Sequence, residues 1–142
     1  MHAVCFQYLR LYTEEVAGRA PVIAAGRKRG FDVIEELGLL GSTVDAETIR
    51  SRLDATLGAE GTRLCLVRAV TPLANGGYEV TVSETACTAG QHSDTPMCSY
   101  TLGVFIGAIQ GLTGKRIKGH ELVCEACDEN ACHYVIEPIE VL

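Results

Sequence analysis

Residues 98–138 read CSYTLGVFIGAIQGLTGKRIKGHELVCEACDENACHYVIEP, and the organisation of the chain follows from this stretch. From Cys98 to about Leu112 nearly every helical position is apolar, the pattern of a long helix buried on most of its sides. Gly114 and the basic group Lys115-Arg116-Ile117-Lys118 end that helix. Lys118–Cys124 and Cys132–Ile139 then read as the strands of a hairpin joined by the turn from Glu125 to Ala131. Cys98, Glu121, Cys124 and Cys132 stand at the ends of these elements, and all four are metal-ligating types.

Upstream, Leu64–Val70 and Tyr78–Val82 are β-rich runs separated by Pro72, Asn75, Gly76 and Gly77, which is turn chemistry and predicts a first hairpin. Further back the period changes to that of helices. Val4, Tyr8, Leu11 and Tyr12 predict a helix over residues 3–17, ended by Gly18. Pro21 suits the first turn of a second helix running to about Leu37, with Gly38 at its end. Asp45 can cap a third helix whose stripe is Ala46, Ile49, Leu53 and Leu57. Helices, hairpin, helix, hairpin is the order of an α+β domain: N-terminal helices packed on an antiparallel sheet of two hairpins, with a long buried helix between them.

A chain of 142 residues, 47% hydrophobic and 21% charged, is expected to fold as one domain over residues 1–142 and to bury its own core. The net charge is −6 and the basic residues gather only at Arg27-Lys28-Arg29 and Lys115–Lys118, so a nucleic-acid surface is not expected. No basic, apolar and small-residue leader is read at the N-terminus, and Leu102–Ile109 is far too short for a membrane span. A cytoplasmic protein is expected, in which the seven cysteines serve as metal ligands or reactive thiols rather than as a disulfide framework.

Three thiols and a carboxylate can close a tetrahedral site around zinc. A strand end leading into a turn can aim both members of Glu121-x-x-Cys124 at one point, and the return strand can present Cys132 there. Cys98 comes from the start of the helix, where the dipole and free N–H groups favour a thiolate. The first shell then carries a formal charge of about −2, and Lys115, Arg116 and Lys118 are candidate neighbours to offset it. Cys127, three residues after Cys124, is a rival to Glu121 for the fourth position. His120 and His133 sit beside the ligands, but adjacent strand residues point to opposite faces, which assigns both to the surface.

Several of these residues also carry a resemblance. The stretch Glu84–Pro138 resembles the V4R (4-vinyl reductase, hydrocarbon-binding) domain, a relative of the TRAPP and haem-NO-binding folds. The likeness lies in Cys98-Ser99-Tyr100-Thr101-Leu102-Gly103, Gly107, Leu112-Thr113-Gly114, Glu121, Cys124-x-Ala126 and Cys132-x-Tyr134. The resemblance implies a TRAPP-like ligand-binding fold with Cys98, Glu121, Cys124 and Cys132 as zinc ligands, as in family members that sense phenols and aromatic hydrocarbons. Two features depart from the pattern: Asp128-Glu129 occupy the turn where the family has Gly-Asp, and Cys127 is a thiol the family does not require.

Gly103, Gly107 and Gly111 lie on one face of the buried helix, and Gly26 and Gly30 repeat the spacing on the second. Each glycine costs a helix interior about 1 kcal/mol relative to alanine, which predicts close approach by another backbone, within the domain or across a dimer, or by a ligand. Opposite them, Leu102, Phe105, Ile106 and Ile109 suit either a solid core or the wall of an apolar pocket, and the resemblance implies the pocket. No nucleophile elbow, His-Glu-x-x-His pair or phosphate-binding loop is present. Cys65 and Cys87 read as core thiols and His92 as part of a polar loop. The expectation is a homodimeric, zinc-containing binding or sensing module for a hydrophobic small molecule, passing any signal through a partner protein. The alternatives are a protein of tetrapyrrole metabolism, either reductase-related or a porphyrin carrier, and a thiol-based redox or metal-handling protein using Cys127.

Overall fold

The computed structural model describes residues 3–86, 98–124 and 131–139. Helix α1 (Ala3–Ala17) ends where the Gly18 amide bonds the Glu14 carbonyl. Helix α2 (Ala20–Glu36) carries Pro21 in its first turn, where the missing N–H costs nothing. At its other end Gly38 takes φ +71°. The amides of Gly38 and Leu39 reach back to the carbonyls of Glu35 and Ile34, a Schellman closure that needs this left-handed residue. Helix α3 (Ala46–Leu57) starts on Asp45, whose carboxylate accepts from the Thr48 amide at 2.7 Å.

Strands β1 (Leu66–Pro72) and β2 (Tyr78–Ser83) form the first hairpin. Helix α4 (Ser99–Thr113) follows, then β3 (Ile117–Val123) and β4 (Cys132–Pro138) form the second. Strand β1 begins two residues later than Leu64. The Leu64 and Cys65 amides are engaged by the Leu57 carbonyl at the end of α3 and do not join the ladder. All neighbours in the sheet are antiparallel, in the order β1-β2-β4-β3, so the two hairpins meet through β2 and β4.

The core lies between this sheet and the helices. Val80, Val82, Tyr134 and Ile136 on the sheet, Val104, Phe105 and Ile109 on α4, and Leu53 and Leu57 on α3 are all at most 1% exposed. Helix α4 packs on β3 and β4 with one side and on α2 with the other, which is why its sequence is apolar nearly all round. The contact with α2 is backbone on backbone. A Cβ at Gly26 would meet the Tyr100 carbonyl, and one at Gly30 the Val104 carbonyl; Gly103 and Gly107 face the carbonyls of Ile23 and Arg27 in return. The paired glycines therefore serve close approach within the chain. Gly111 differs, because its nearest neighbours are the side chains of Ile34 and Leu40.

Candidate metal centre

Cys98, Cys124 and Cys132 are fully buried, and their sulfurs lie within 4.8 Å of one another. The Cys98 sulfur is 3.4 Å from both the Cys124 and the Cys132 sulfur. A disulfide needs about 2.05 Å, well short of these separations. Around a tetrahedral zinc with bonds of about 2.3 Å, sulfurs would stand about 3.8 Å apart. An opening of a few tenths of an ångström therefore admits an ion of that size.

Each sulfur reaches the cluster for a local reason. Cys98 is the N-cap of α4, but its thiol makes no capping bond and lies instead among the sulfurs. Cys132, Tyr134 and Ile136 alternate onto the buried face of β4. The β3–β4 pairing slips between Glu121 and Val123, so Leu122 is an extra residue. Without that bulge, residues three apart on a strand would face opposite ways. With it, Glu121 and Cys124 both serve the buried side.

Glu121, the fourth residue expected at the site, lies next to Cys98 but is not part of the group of three sulfurs that stand within 4.8 Å of one another. Its side chain is only 2% exposed, and Oε1 accepts from Arg19 Nη2 at 2.6 Å. Oε2 accepts from the Cys98 amide at 3.2 Å, the N-cap donor that a capping-box glutamate would otherwise take. Burial pushes the Glu121 carboxyl up from its ordinary range, opposed by the Cys98 amide and the Arg19 charge. Thr85 Oγ1 lies 3.7 Å from the Cys98 sulfur. Tyr134 stacks on Phe105 with ring centroids 5.9 Å apart. Its hydroxyl is buried without a hydrogen-bond partner among the described residues. Burial, reinforced by the charge of Cys98 and Cys132, holds this phenol well above its usual range.

The basic group expected to offset the thiolates is elsewhere. Lys118 pairs with Glu137 at 3.9 Å and Lys115 reaches toward Gly76, both at the far end of the sheet from Cys124. Arg19, from the start of α2, is the cation at the site. Its neighbourhood Gly18-Arg19-Ala20-Pro21 signals only a helix boundary, since its partners lie 80 and 102 residues away. Tyr134 was more accessible to inference, being two strand residues from Cys132 and hence on the same face.

His120 is exposed, and His133 Nδ1 lies 3.0 Å from Thr81 Oγ1 on the outer side of the sheet, so neither joins the thiols. Cys127, Cys87 and His92 fall outside the described residues. Leu102, Phe105, Ile106 and Ile109 are buried in the core. The ends of Ile106 and Ile136 meet over Gly119, within about 3 Å of where its Cβ would stand. Clefts of about 390 and 290 Å³ open on the surface elsewhere, one beside Asp32, Glu35 and Glu36, the other beside Gly58, Arg63, Cys65 and Glu84.

Residues 78–138 match the family model of the V4R domain. The phenol-responsive sensory domain of the transcription activator PoxR, solved with phenol, superposes with a TM-score of 0.75 at 19% identity, covering 97% of this chain and 75% of that one. A vinyl-4-reductase family protein from Methanocaldococcus jannaschii gives 0.59 at 11% identity, with 94% and 80% covered. A trafficking protein particle complex subunit 3 from Naegleria fowleri, covalently bound to palmitic acid, gives 0.57 at 13%, with 99% and 91% covered. No curated protein sequence matches. At these identities the structural likeness is one of fold. The match runs from β2 through α4 to the end of β4, and the chain adopts the α+β fold shared with the PoxR sensory domain and the trafficking-complex subunit.

Proposed function

We propose that this chain is a binding or sensing module for a hydrophobic small molecule, folded as one domain over residues 1–142 and clasped by structural zinc. The observation that carries the proposal is the convergence of Cys98, Cys124 and Cys132 in a chain that matches the V4R family model, with Glu121 bonded to the Cys98 amide. Three buried sulfurs suit a thiophilic divalent ion, and Glu121 supplies the fourth donor. Bound zinc would supply a cross-link without redox chemistry. The chain's own residues do the rest. Cys98 anchors the start of α4, Cys124 and Cys132 anchor the second hairpin where they flank its connection, and Thr85 and Tyr134 close the site from water.

The ligand's seat is the inner face of α4, at Leu102, Phe105, Ile106 and Ile109. Support comes from fold neighbours that hold apolar molecules, phenol in one case and palmitic acid in another. Within this chain, Ile106 and Ile136 are flexible side chains meeting over Gly119, so rotation about their side-chain bonds opens space there without moving backbone. A homodimer in the cytoplasm, passing its signal through a partner protein, completes the proposal. Among the described residues no helix is long and apolar enough to cross a membrane.

The test is to purify the protein, quantify its metal, and identify by mass spectrometry the small molecules it releases on denaturation. About one zinc per chain and a released apolar compound, or saturable binding of added phenols or fatty acids, is the expected result. A metal-free protein with all thiols titratable in the native state would remove the clasp. Failure to bind either class of apolar probe would remove the binding function and leave the clasp standing.

A further inference from the structure

The connection between α1 and α2 places one cation against the candidate metal centre, and its partners are specific. Arg19 Nη2 donates to Glu121 Oε1 at 2.6 Å, while its Nε donates to the hydroxyl of Ser99, the first residue of α4. Ser99 is fully buried and the Glu121 side chain nearly so, whereas that of Arg19 is 46% exposed. A solvated guanidinium thus reaches down onto two buried groups, each next to or bonded to Cys98.

We infer that Arg19 is a positioning residue of the metal centre, holding the Glu121 carboxylate against the Cys98 amide and offsetting the excess negative charge of the ligands. The inference rests on the zinc-clasp proposal above. Three thiolates and a carboxylate around a divalent ion leave about −2, and no backbone amide can neutralise that charge. Each carboxylate oxygen has two lone pairs. Arg19 engages Oε1 and the Cys98 amide engages Oε2, so lone pairs remain for a metal on a carboxylate that can no longer swing outward. The planar fork explains why an arginine stands here. Two of its nitrogens serve Ser99 and Glu121 at once, and a lysine offers one point charge for both. The same contact ties the α1–α2 junction to the start of α4, so metal occupancy bears on how the N-terminal helices enter the fold.

The experiment uses the full chain and reads metal binding directly. Zinc affinity is measured by competition with a chromophoric chelator, and cobalt(II) spectra are recorded for wild type, Arg19→Ala, Arg19→Lys, Glu121→Ala and the Arg19→Ala/Glu121→Ala double variant. Circular dichroism confirms that each is folded. Arg19→Ala is expected to weaken zinc about 10- to 100-fold, the usual cost of losing a group that orients a ligand. Arg19→Lys should recover part of that loss. The cobalt thiolate charge-transfer bands should persist in Arg19→Ala while the d–d envelope changes, because the sulfurs stay and the carboxylate loosens. In the Glu121→Ala background the Arg19 substitution should add no more than about two-fold.

Wild-type affinity and an unchanged d–d envelope in Arg19→Ala would reduce the contact to a surface ion pair and overturn the inference alone. An undiminished loss in the Glu121→Ala background overturns it as well, since Arg19 would then not act through Glu121. A wild-type protein that binds no zinc or cobalt overturns the clasp, and this inference with it.

Discussion

Helix α4 is held in two places by two different kinds of contact. Along its length, Gly103 and Gly107 meet Gly26 and Gly30 of α2, and backbone lies against backbone with no side chain between. At its N-terminus, Cys98 meets Cys124 and Cys132 through side chains alone, with Glu121 and Arg19 at the rim. The first contact is complete with protein atoms, because dispersion between close-packed backbones needs no third party. The second brings together three buried thiols, a charged pair and a buried phenol, a set that gains most from a bound cation. One region fixes how deep α4 sits. The other fixes where the last hairpin ends.

The largest effect should come from the glycine contact. Gly107→Val drives branched carbons into the Arg27 carbonyl of α2, which cannot give way without separating the helices. A loss above about 3 kcal/mol is expected, at the severe end of overpacking, read as absent or greatly weakened cooperative unfolding in denaturant. A variant that melts like wild type would show that the helices part easily and that the comparison misplaces the strength of the fold.

Metal removal should come next. Chelation, or Cys124→Ser, is expected to lower the melting temperature by on the order of 10 °C while leaving far-UV circular dichroism largely in place. Glu121→Gln should cost less than Cys124→Ser, because it retains one oxygen as a donor atom for the metal, although only one of the contacts to Arg19 and the Cys98 amide can then be accepted. Equal losses would put Glu121 on a par with the thiols.

The smallest effect should come from Gly111→Ala. The added methyl meets Ile34 and Leu40 side chains at 3.1–3.4 Å, which can shift. The helix also gains about 1 kcal/mol of propensity, so the net change in unfolding free energy should stay within about 1 kcal/mol. A loss as large as that of Gly107→Val would mean that the glycine spacing, rather than the carbonyl behind each glycine, governs tolerance.

Much of this was legible in the chain. The period of apolar residues places α1, α2, α3 and α4 within a residue or so of their observed ends, because helix faces and caps are set by residues three or four apart. The three thiols were legible by type, and the repeated glycines on α2 and α4 announced a close approach. Strand β1 was placed two residues early because Leu64 and Cys65 look like strand but give their amides to the Leu57 carbonyl. Arg19 gave no signal at all. Its role depends on Glu121 being 102 residues away in sequence and adjacent in space.

Local pattern therefore decided the kind and extent of each element, and which side of it is apolar, since these depend on neighbours a few bonds apart. Which apolar sides meet was settled only by folding. The joining of the hairpins through β2 and β4, the slip at Leu122 that turns Glu121 and Cys124 to one side, and the reach of Arg19 to Ser99 and Glu121 all arise from packing between distant segments. Such contacts form because the same buried volume must be filled from several parts of the chain at once, and no short stretch carries that constraint by itself.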